Sequence, residues 1–577
     1  QSRGYEYSWA PAERAAVSYI AQFGKLEGLT GLDRGQVIDV NPIVTARAAG
    51  TYANPSAPFD YTTRSEFGAN MRWGITPNLT VNGTVNPDFA EVESDAGQLV
   101  FDPRQALFFA ERRPFFLDGI EQFAVPGSLI YTRRIADPLG AAKVTGRSGS
   151  TSYAFLSAVD SRAVSTIGDR RAAYNLLRVQ HDLGRSSRAG IVVTDRREGP
   201  AANQVAGADA RLVWRGGLSG AVQAAASRTV DPGLPDRTGS LLSADLRRTG
   251  RSFAARWRVS AMSDDFDAQS GFISRPAIAQ ATLDHSYTIY GREGSFVRSA
   301  ALDVLLDGTW NYRSFIDGDP ALEEKLHFNT NYELRGGWRA GASVLVETFR
   351  YDAPLYGNLF VAQSAPADTV PFVGRPAIGN LDYSISLSTP SFRTFSGSMF
   401  WLWGRDENFF EWAPADIGFL NAAINWRPDD KLRMTGSYNL QYYKRYTDGS
   451  MVGRTHLPRL RVEYQVTRAI FIRAVGQLQD DYADELRDDG RTNAPLFRRV
   501  QGQFVRARGF STVNGRPNSR RNFRPEVLFS YAPSPGTVLY AGYNGVLENP
   551  NPMRPGIDGY SRVRDGFFLK MSYLLRR

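Results

Sequence analysis

The chain alternates apolar and polar residues again and again, in stretches of about ten. In "KLHFNTNYELR", Leu326, Phe328, Thr330, Tyr332 and Leu334 share one face, and Lys325, His327, Asn329, Asn331, Glu333 and Arg335 share the other. "KLRMTGSYNLQYY" sets Leu432, Met434, Gly436, Tyr438, Leu440 and Tyr442 against Lys431, Arg433, Thr435, Ser437, Asn439 and Gln441. "FAARWRVSAM" sets Phe253, Ala255, Trp257, Val259 and Ala261 against Arg256, Arg258 and Ser260. A period of two is a strand with one apolar and one polar face.

The connections add a second constraint. Short turns rich in Gly, Pro, Asn and Asp fall at Thr76, Arg147, Gly184, Arg215, Arg248, Arg292, Gly336, Arg427 and Pro533, and these residues supply the dihedrals tight turns require. Longer polar connections lie between them, at Asp264 to Ile278, Tyr351 to Arg375, Gly404 to Ala415 and Tyr482 to Asn522. Short turn, long loop, repeated, is the order of an outer-membrane barrel, with short turns periplasmic and long loops outside. Trp73, Trp214, Trp338 and Trp426 lie near short turns, where an interfacial girdle belongs. A soluble sandwich or propeller explains the alternation, but neither the order of turn lengths nor the wholly polar second face.

The expected fold is therefore all-β: a transmembrane antiparallel β-barrel of about 24 strands, in a range of about 22 to 26, with one inward-folded loop. Strand one runs near Val37 to Ala48 and the last begins near Gly566. Residues 1–36 are expected to be a periplasmic N-terminal extension and 37–577 the barrel. Within the extension, "YSWAPAERAAVSYIAQFG" is amphipathic and suits docking to a partner or to the barrel's own base. The last strand places Phe567, Leu569, Met571, Tyr573 and Leu575 on an apolar face, opposite Lys570, Ser572 and Arg576. It ends Arg576-Arg577, without the terminal aromatic usual in barrels that the assembly machinery reads.

Composition narrows the function. The 577 residues hold no Cys, which removes disulfides, thiolate metal sites and cysteine nucleophiles. The net charge of +9 is spread rather than clustered, so no nucleic-acid partner is read. No run approaches the ~18 apolar residues of a membrane helix. The sequence opens at Gln1 with neither a basic n-region nor an apolar h-region, so no signal peptide is read in it. The four histidines, His181, His285, His327 and His456, fall in different strands without metal spacing. No G-x-S-x-G elbow or P-loop is present, so no enzyme is expected and no catalytic residue is assigned.

One stretch breaks the alternation: "FFAERRPFFLDG", Phe108 to Gly119. It lies in a connection, Ala90 to Leu139, too apolar to stand in water; Phe108, Phe109, Phe115, Phe116, Leu117 and Phe123 are expected to be largely buried. The strand before it, "LTVNGTVNPDF", is expected to put Leu79, Val81, Val85 and Phe89 on its lipid face. The lumen is the one large space available, so the connection is expected to fold inward as a plug or constriction; an outer cap is the alternative. Arg112 and Arg113 are expected to pair with lumen carboxylates such as Glu91, Glu93 or Glu111. The plug motif is thus Phe108, Phe109, Glu111, Arg112, Arg113, Pro114, Phe115, Phe116 and Asp118.

The longer stretch "TVNPDFAEVESDAGQLVFDPRQALFFAERRPFFLDGIEQF", Thr84 to Phe123, with "QFGKLEGLTGL" at Gln22, resembles the DUF5916 family. The resemblance implies a large outer-membrane barrel of unsettled role. In that family the barrel usually follows a domain similar to carbohydrate-binding module family 9, which this sequence does not contain. The family offers no established catalytic residues to carry over.

Asp88, Glu91, Glu93 and Asp95 are hard oxygen donors at close spacing and are weak candidates for Ca²⁺, although they lack the spacing of an EF-hand loop. The other reading is that they answer nearby arginines. No other cofactor is expected. The basic loop "RRVQGQFVRARGFSTVNGRPNSRR", Arg498 to Arg521, suits anionic lipopolysaccharide sugars or acidic glycans, or is simply a solvated external loop. Expected partners are outer-membrane lipid and lipopolysaccharide, and periplasmic or surface proteins. Two functions fit: a gated or plugged channel for a solute, of glycan origin if the resemblance holds, and a membrane anchor in a larger envelope complex. A TonB-dependent transporter is a narrower third option, for which the N-terminal extension is too short to be the plug domain.

Overall fold

The structure, a computed structural model, describes residues 37–52, 57–89, 92–99, 102–362, 368–508, 519–534, 536–549 and 559–577. The expected N-terminal extension, Glu91, and residues 509–518 of the basic loop lie outside the described residues.

Alternating strands with one apolar face close into a single antiparallel sheet. It begins with β1 (Val37–Tyr52), β2 (Phe59–Thr76), β3 (Leu79–Val85), β4 (Pro138–Ser148), β5 (Thr151–Asp160), β6 (Ala172–Leu183), β7 (Ser187–Glu198) and β8 (Ala201–Val213). It continues through β9 (Leu218–Val230), β10 (Arg237–Arg248), β11 (Phe253–Met262), β12 (Ile278–Tyr290), β13 (Val297–Asn311), β14 (Glu323–Leu334) and β15 (Arg339–Arg350). Two short strands outside the barrel, β16 (Leu359–Ala362) and β17 (Thr369–Pro371), precede β18 (Ala377–Ser388), β19 (Phe395–Asn408), β20 (Ala413–Trp426), β21 (Leu432–Arg445), β22 (Met451–Gln465) and β23 (Ile470–Ala483). After the short β24 (Leu496–Val500) and β25 (Gln503–Arg506) come β26 (Ser519–Ser534), β27 (Thr537–Asn549), β28 (Ser561–Ser572) and β29 (Leu575–Arg576).

The barrel closes where β1 pairs with β28, Ile43 opposite Ser572 and Thr51 opposite Arg564. The two residues of β29 resume that pairing, Asp39 opposite Arg576, so 24 staves complete the wall. Closure leaves no unpaired edge, the condition for a sheet to cross a bilayer. Both faces are as expected on the last stave. Phe567, Leu569, Met571 and Tyr573 are 49–58% exposed on the outside, while Lys570 is 4% exposed inside.

The nine short turns read from sequence all join adjacent staves, and 389–394 and 466–469 do the same. The opposite rim is less uniform. β7 and β8 are joined by Gly199 and Pro200 alone. Gly404 to Ala415, read as a long loop, is strand except for residues 409–412. Its polar residues Asp406, Glu407 and Asn408 are buried inside the barrel, where polarity marks a lumen face and not a loop. Short strands of the other loops form a second sheet, in the order β17-β16-β24-β25. The basic segment is thus partly a hairpin, in which Arg506 lies over the Phe497 ring at 5.2 Å. That sheet belongs to an apolar cluster over the barrel mouth, containing Tyr356, Leu359, Phe409, Trp412, Leu486 and Leu496.

Candidate functional site

The connection between β3 and β4 enters the lumen at once. The stave ends at Val85, and Asn86 adopts a left-handed conformation (φ 45°), which Asn tolerates better than most residues. A side chain at position 68 would stand 2.3 Å from the Asn86 carbonyl oxygen, so only glycine lets β2 pass this crossing. Phe89 is consequently not on the lipid face. Its ring lies 6.4 Å from that of Phe116, against an inner cluster.

From there the segment follows the inner wall. Asp88 pairs with Arg47 and Thr45 of β1, and its carbonyl accepts from Lys570 of β28 at 2.6 Å. Glu93 pairs with Arg459 of β22 at 2.7 Å, with Arg461 at 3.3 Å and with Arg473 of β23 at 3.8 Å. Beside residues 97–99 a cavity of about 510 Å³ is lined by Phe400, Phe419, Asn421 and Asn439. Arg104 pairs with Glu323 of β14 at 2.9 Å, and its guanidinium lies 4.3 Å from the centre of the Phe409 ring. Phe116, Phe123 and Ile135 then pack on Ala154, Leu156, Tyr174 and Leu176 of β5 and β6. Leu129 packs on Val192, Val205, Ala225 and Leu241 of β7 to β10.

The motif itself reaches the short-turn end. Pro114–Leu117 form one helical turn with proline in the first position, where its missing N–H costs nothing. Asp118 accepts from Asn82 Nδ2 at 2.7 Å. Asn82 lies four residues from the turn at Asn78, about 14 Å along the strand. Lys143, 1% exposed on β4, donates to the carbonyls of Phe115 and Asp118. This position explains a departure from expectation: Leu117 is 42% exposed because it sits near the barrel's lower mouth. Phe108 is also half-exposed, held edge-on by Phe272 at 5.1 Å. Phe109 and Phe115 are partly buried, whereas Phe116 and Phe123 are fully so.

The arginines pair within the segment and not with the wall. Arg113 clasps Glu111 through Nε and Nη2, at 2.9 and 2.8 Å, and donates to the carbonyls of Ile135 and Thr132. Burial raises the Glu111 carboxyl, but the Arg113 and Thr132 hydrogen bonds and the Arg113 charge outweigh it and hold it at about 2. Arg112 lies 3.6 Å from Asp95 and donates to the carbonyls of Glu93 and Ser94. Arg133 pairs with the same Asp95. The three described calcium candidates, Asp88, Glu93 and Asp95, therefore do not converge; Asp88 answers Arg47, Glu93 answers Arg459, Arg461 and Arg473, and Asp95 answers Arg112 and Arg133.

Sequence reasoning missed the second inner loop. Residues 263–277, read as an external connection, dock on the inserted segment through three main-chain hydrogen bonds. Ala106 N donates to Ser274 O at 2.8 Å, Tyr131 N to Ser270 O at 2.8 Å and Phe272 N to Ser128 O at 2.9 Å. No periodicity marks such pairing in advance. The four histidines stay apart, beside Thr151, Trp257, Glu347 and Tyr438 respectively.

No curated protein matches the chain. Among solved structures it is similar to the siderophore receptor PirA from Pseudomonas aeruginosa, at 9% identity and a TM-score of 0.43, covering 92% of this chain and 80% of that one. It is also similar to the copper transporter OprC, at 10% identity and a TM-score of 0.47, covering 94% of this chain and 80% of that one. The family model described as "Domain of unknown function (DUF5916)" matches residues 48–159, which run from β1 through the inserted segment to β5. These residues carry the whole plug motif, and over them the chain is similar to this family of unknown function.

Proposed function

We propose that the protein is a plugged channel of the bacterial outer membrane, through which a polar solute passes when the inserted segment shifts. One observation carries this reading. Residues 86–137 are anchored to staves on successive sectors of the inner wall, from Asp88 on β1 and β28 to Leu129 on β7 to β10. A segment serving only as an outer cap has no need of such contacts, nor of a motif near the short-turn rim. Glycan-derived solutes are the class the family resemblance suggests. Nothing in the arrangement calls for catalysis, and we read the protein as a non-enzyme that meets lipid and lipopolysaccharide along its outer face.

Conductance in a planar bilayer tests this, for the chain and for a variant with residues 90–133 replaced by a short linker. Resistance of the unboiled variant to unfolding on a gel establishes that it still forms a barrel. Silence in the intact chain, relieved in the folded variant, is the expected result. Silence in both would favour the second reading, an anchor for an envelope complex. The half-exposed Phe504 and Val505 on the outer sheet are the surface that reading would use.

A further inference from the structure

We propose that Glu347, Asp382 and Asp406 form a divalent-cation site on the inner wall of the barrel, and that its ion is calcium. The three residues are far apart in sequence and meet through strand register. Glu347 of β15 stands opposite Asn380 of β18, and Asp382 opposite Gly404 of β19. On β18, Leu381 and Tyr383 are exposed to the outside, so Asn380 and Asp382 point inward. One carboxylate oxygen from each acid lies within 4.8 Å of the others. Calcium takes about six to eight oxygen ligands in flexible geometry, whereas magnesium demands a near-ideal octahedron and keeps several of its waters, so three protein carboxylates around one ion favour calcium.

The local charge balance lacks a cation. Lys325, at 3.1 Å, Arg104, at 2.9 Å, and Arg275 are all engaged by Glu323. His327 Nε2 lies 2.6 Å from one oxygen of Glu347, which leaves the other available. Among the described residues no cationic side chain lies within ion-pair distance of Asp382, Asp406 or Glu407. Asp406 instead accepts from Asn380 Nδ2, at 2.6 Å, and from the Glu407 N–H, at 2.8 Å.

A second observation is independent of the clustering. Asp382 is 2% exposed, and its Oδ1 has no hydrogen-bond partner. Asn380, 4% exposed, likewise has an unpartnered Oδ1. Buried carboxylates and amides without partners are among the most costly groups a fold can hold. Both supply the hard oxygen that calcium prefers. Gly404 makes the approach possible: a side chain there would stand 2.5 Å from Asp382 Oδ1 and 2.5 Å from the Leu381 carbonyl. The site does not depend on whether the barrel conducts.

The test is calorimetric titration of calcium chloride into the full chain, purified in detergent and stripped with chelator, with thermal unfolding measured in calcium and in chelator. One bound calcium and a raised melting temperature are expected. Asp382→Asn should weaken binding about tenfold or more, and Glu347→Gln serves the same purpose should the first variant fail to fold. Asp236→Asn, on an exposed loop, should bind as the parent does. No uptake at millimolar calcium overturns the proposal, as does equal binding by the folded Asp382 variant. Preference for magnesium overturns the calcium assignment. If Asp382→Asn raises the melting temperature equally with and without calcium, the acids hold protons and no metal, and the proposal fails.

Discussion

Glu93 Oε1 accepts from Arg459 Nη2 at 2.7 Å, joining the inserted segment to a stave 366 positions further along the chain. Both side chains are about 10% exposed, and Arg461 and Arg473 face the same carboxylate. Glu93 is therefore the countercharge for three guanidiniums. Glu93→Gln should release residues 92–99 from the wall and leave the arginines repelling one another. Removing one partner of a buried pair costs about 3 kcal/mol or more. A cysteine at Gln98 should then react faster with a small maleimide in the variant than in the parent background. Equal rates would mean that the segment is held by its other contacts alone.

The Glu111–Arg113 clasp gives the inserted segment an acid limit. Glu111 is held at about 2 in the folded chain, against about 4.3 when unfolded. A lowered folded value means that the ionised carboxylate stabilises the fold above the unfolded value, and that this contribution fades as pH falls from about 5 towards 2. Protease cleavage within 102–137 should rise over that window. Glu111→Gln should already be more susceptible at neutral pH, with a flatter acid limb. A parent profile unchanged down to pH 2 would remove the clasp from the account of plug stability.

The barrel was legible because lipid on one side and polar lumen on the other impose a period of two on every stave. That is why Phe567 to Leu575 could be assigned to the outer face residue by residue. The same rule misled at its margins. Asp406 to Asn408 looked like loop because three polar residues run together there, although all three are buried. Phe89 fits the alternation of β3 but lies past Asn86, where the chain turns inward. The plug motif was visible as an apolar break in the pattern, and Glu111, the partner of Arg113, was among the carboxylates expected, but Asp95, the partner of Arg112, was not, because pairing inside an irregular segment has no period. The acids Glu347, Asp382 and Asp406 stood on separate staves, and only register brings them together.

Gly68 offers a test of the inward turn that does not involve charge. Gly68→Ala would place a methyl 2.3 Å from the Asn86 carbonyl oxygen and 2.9 Å from that of Val85. Both contacts are backbone, so one strand must shift. Overpacking of this kind costs about 1–3 kcal/mol. The variant should lose its unboiled barrel form on gels at a lower temperature than the parent. Gly83→Ala, whose nearest neighbour would be a flexible methionine at 4.0 Å, should not. Equal behaviour of the two would show that the crossing at Asn86 has room for a methyl group.

The orientation of the barrel sets which rim the inserted segment enters from. Leu234, in the connection between β9 and β10, is 62% exposed. Arg185 is exposed in the short turn between β6 and β7, at the opposite rim. With no native cysteine in the chain, Leu234→Cys and Arg185→Cys each introduce a single thiol. Labelling intact cells with a membrane-impermeant maleimide should modify Leu234→Cys and spare Arg185→Cys, and outer-membrane permeabilisation should then expose the second. Short turns on the periplasmic side are the rule for such barrels, and they place the mouth near Leu117 and Asp118 towards the periplasm. The reverse labelling pattern would invert the barrel and make those residues face the cell's surroundings.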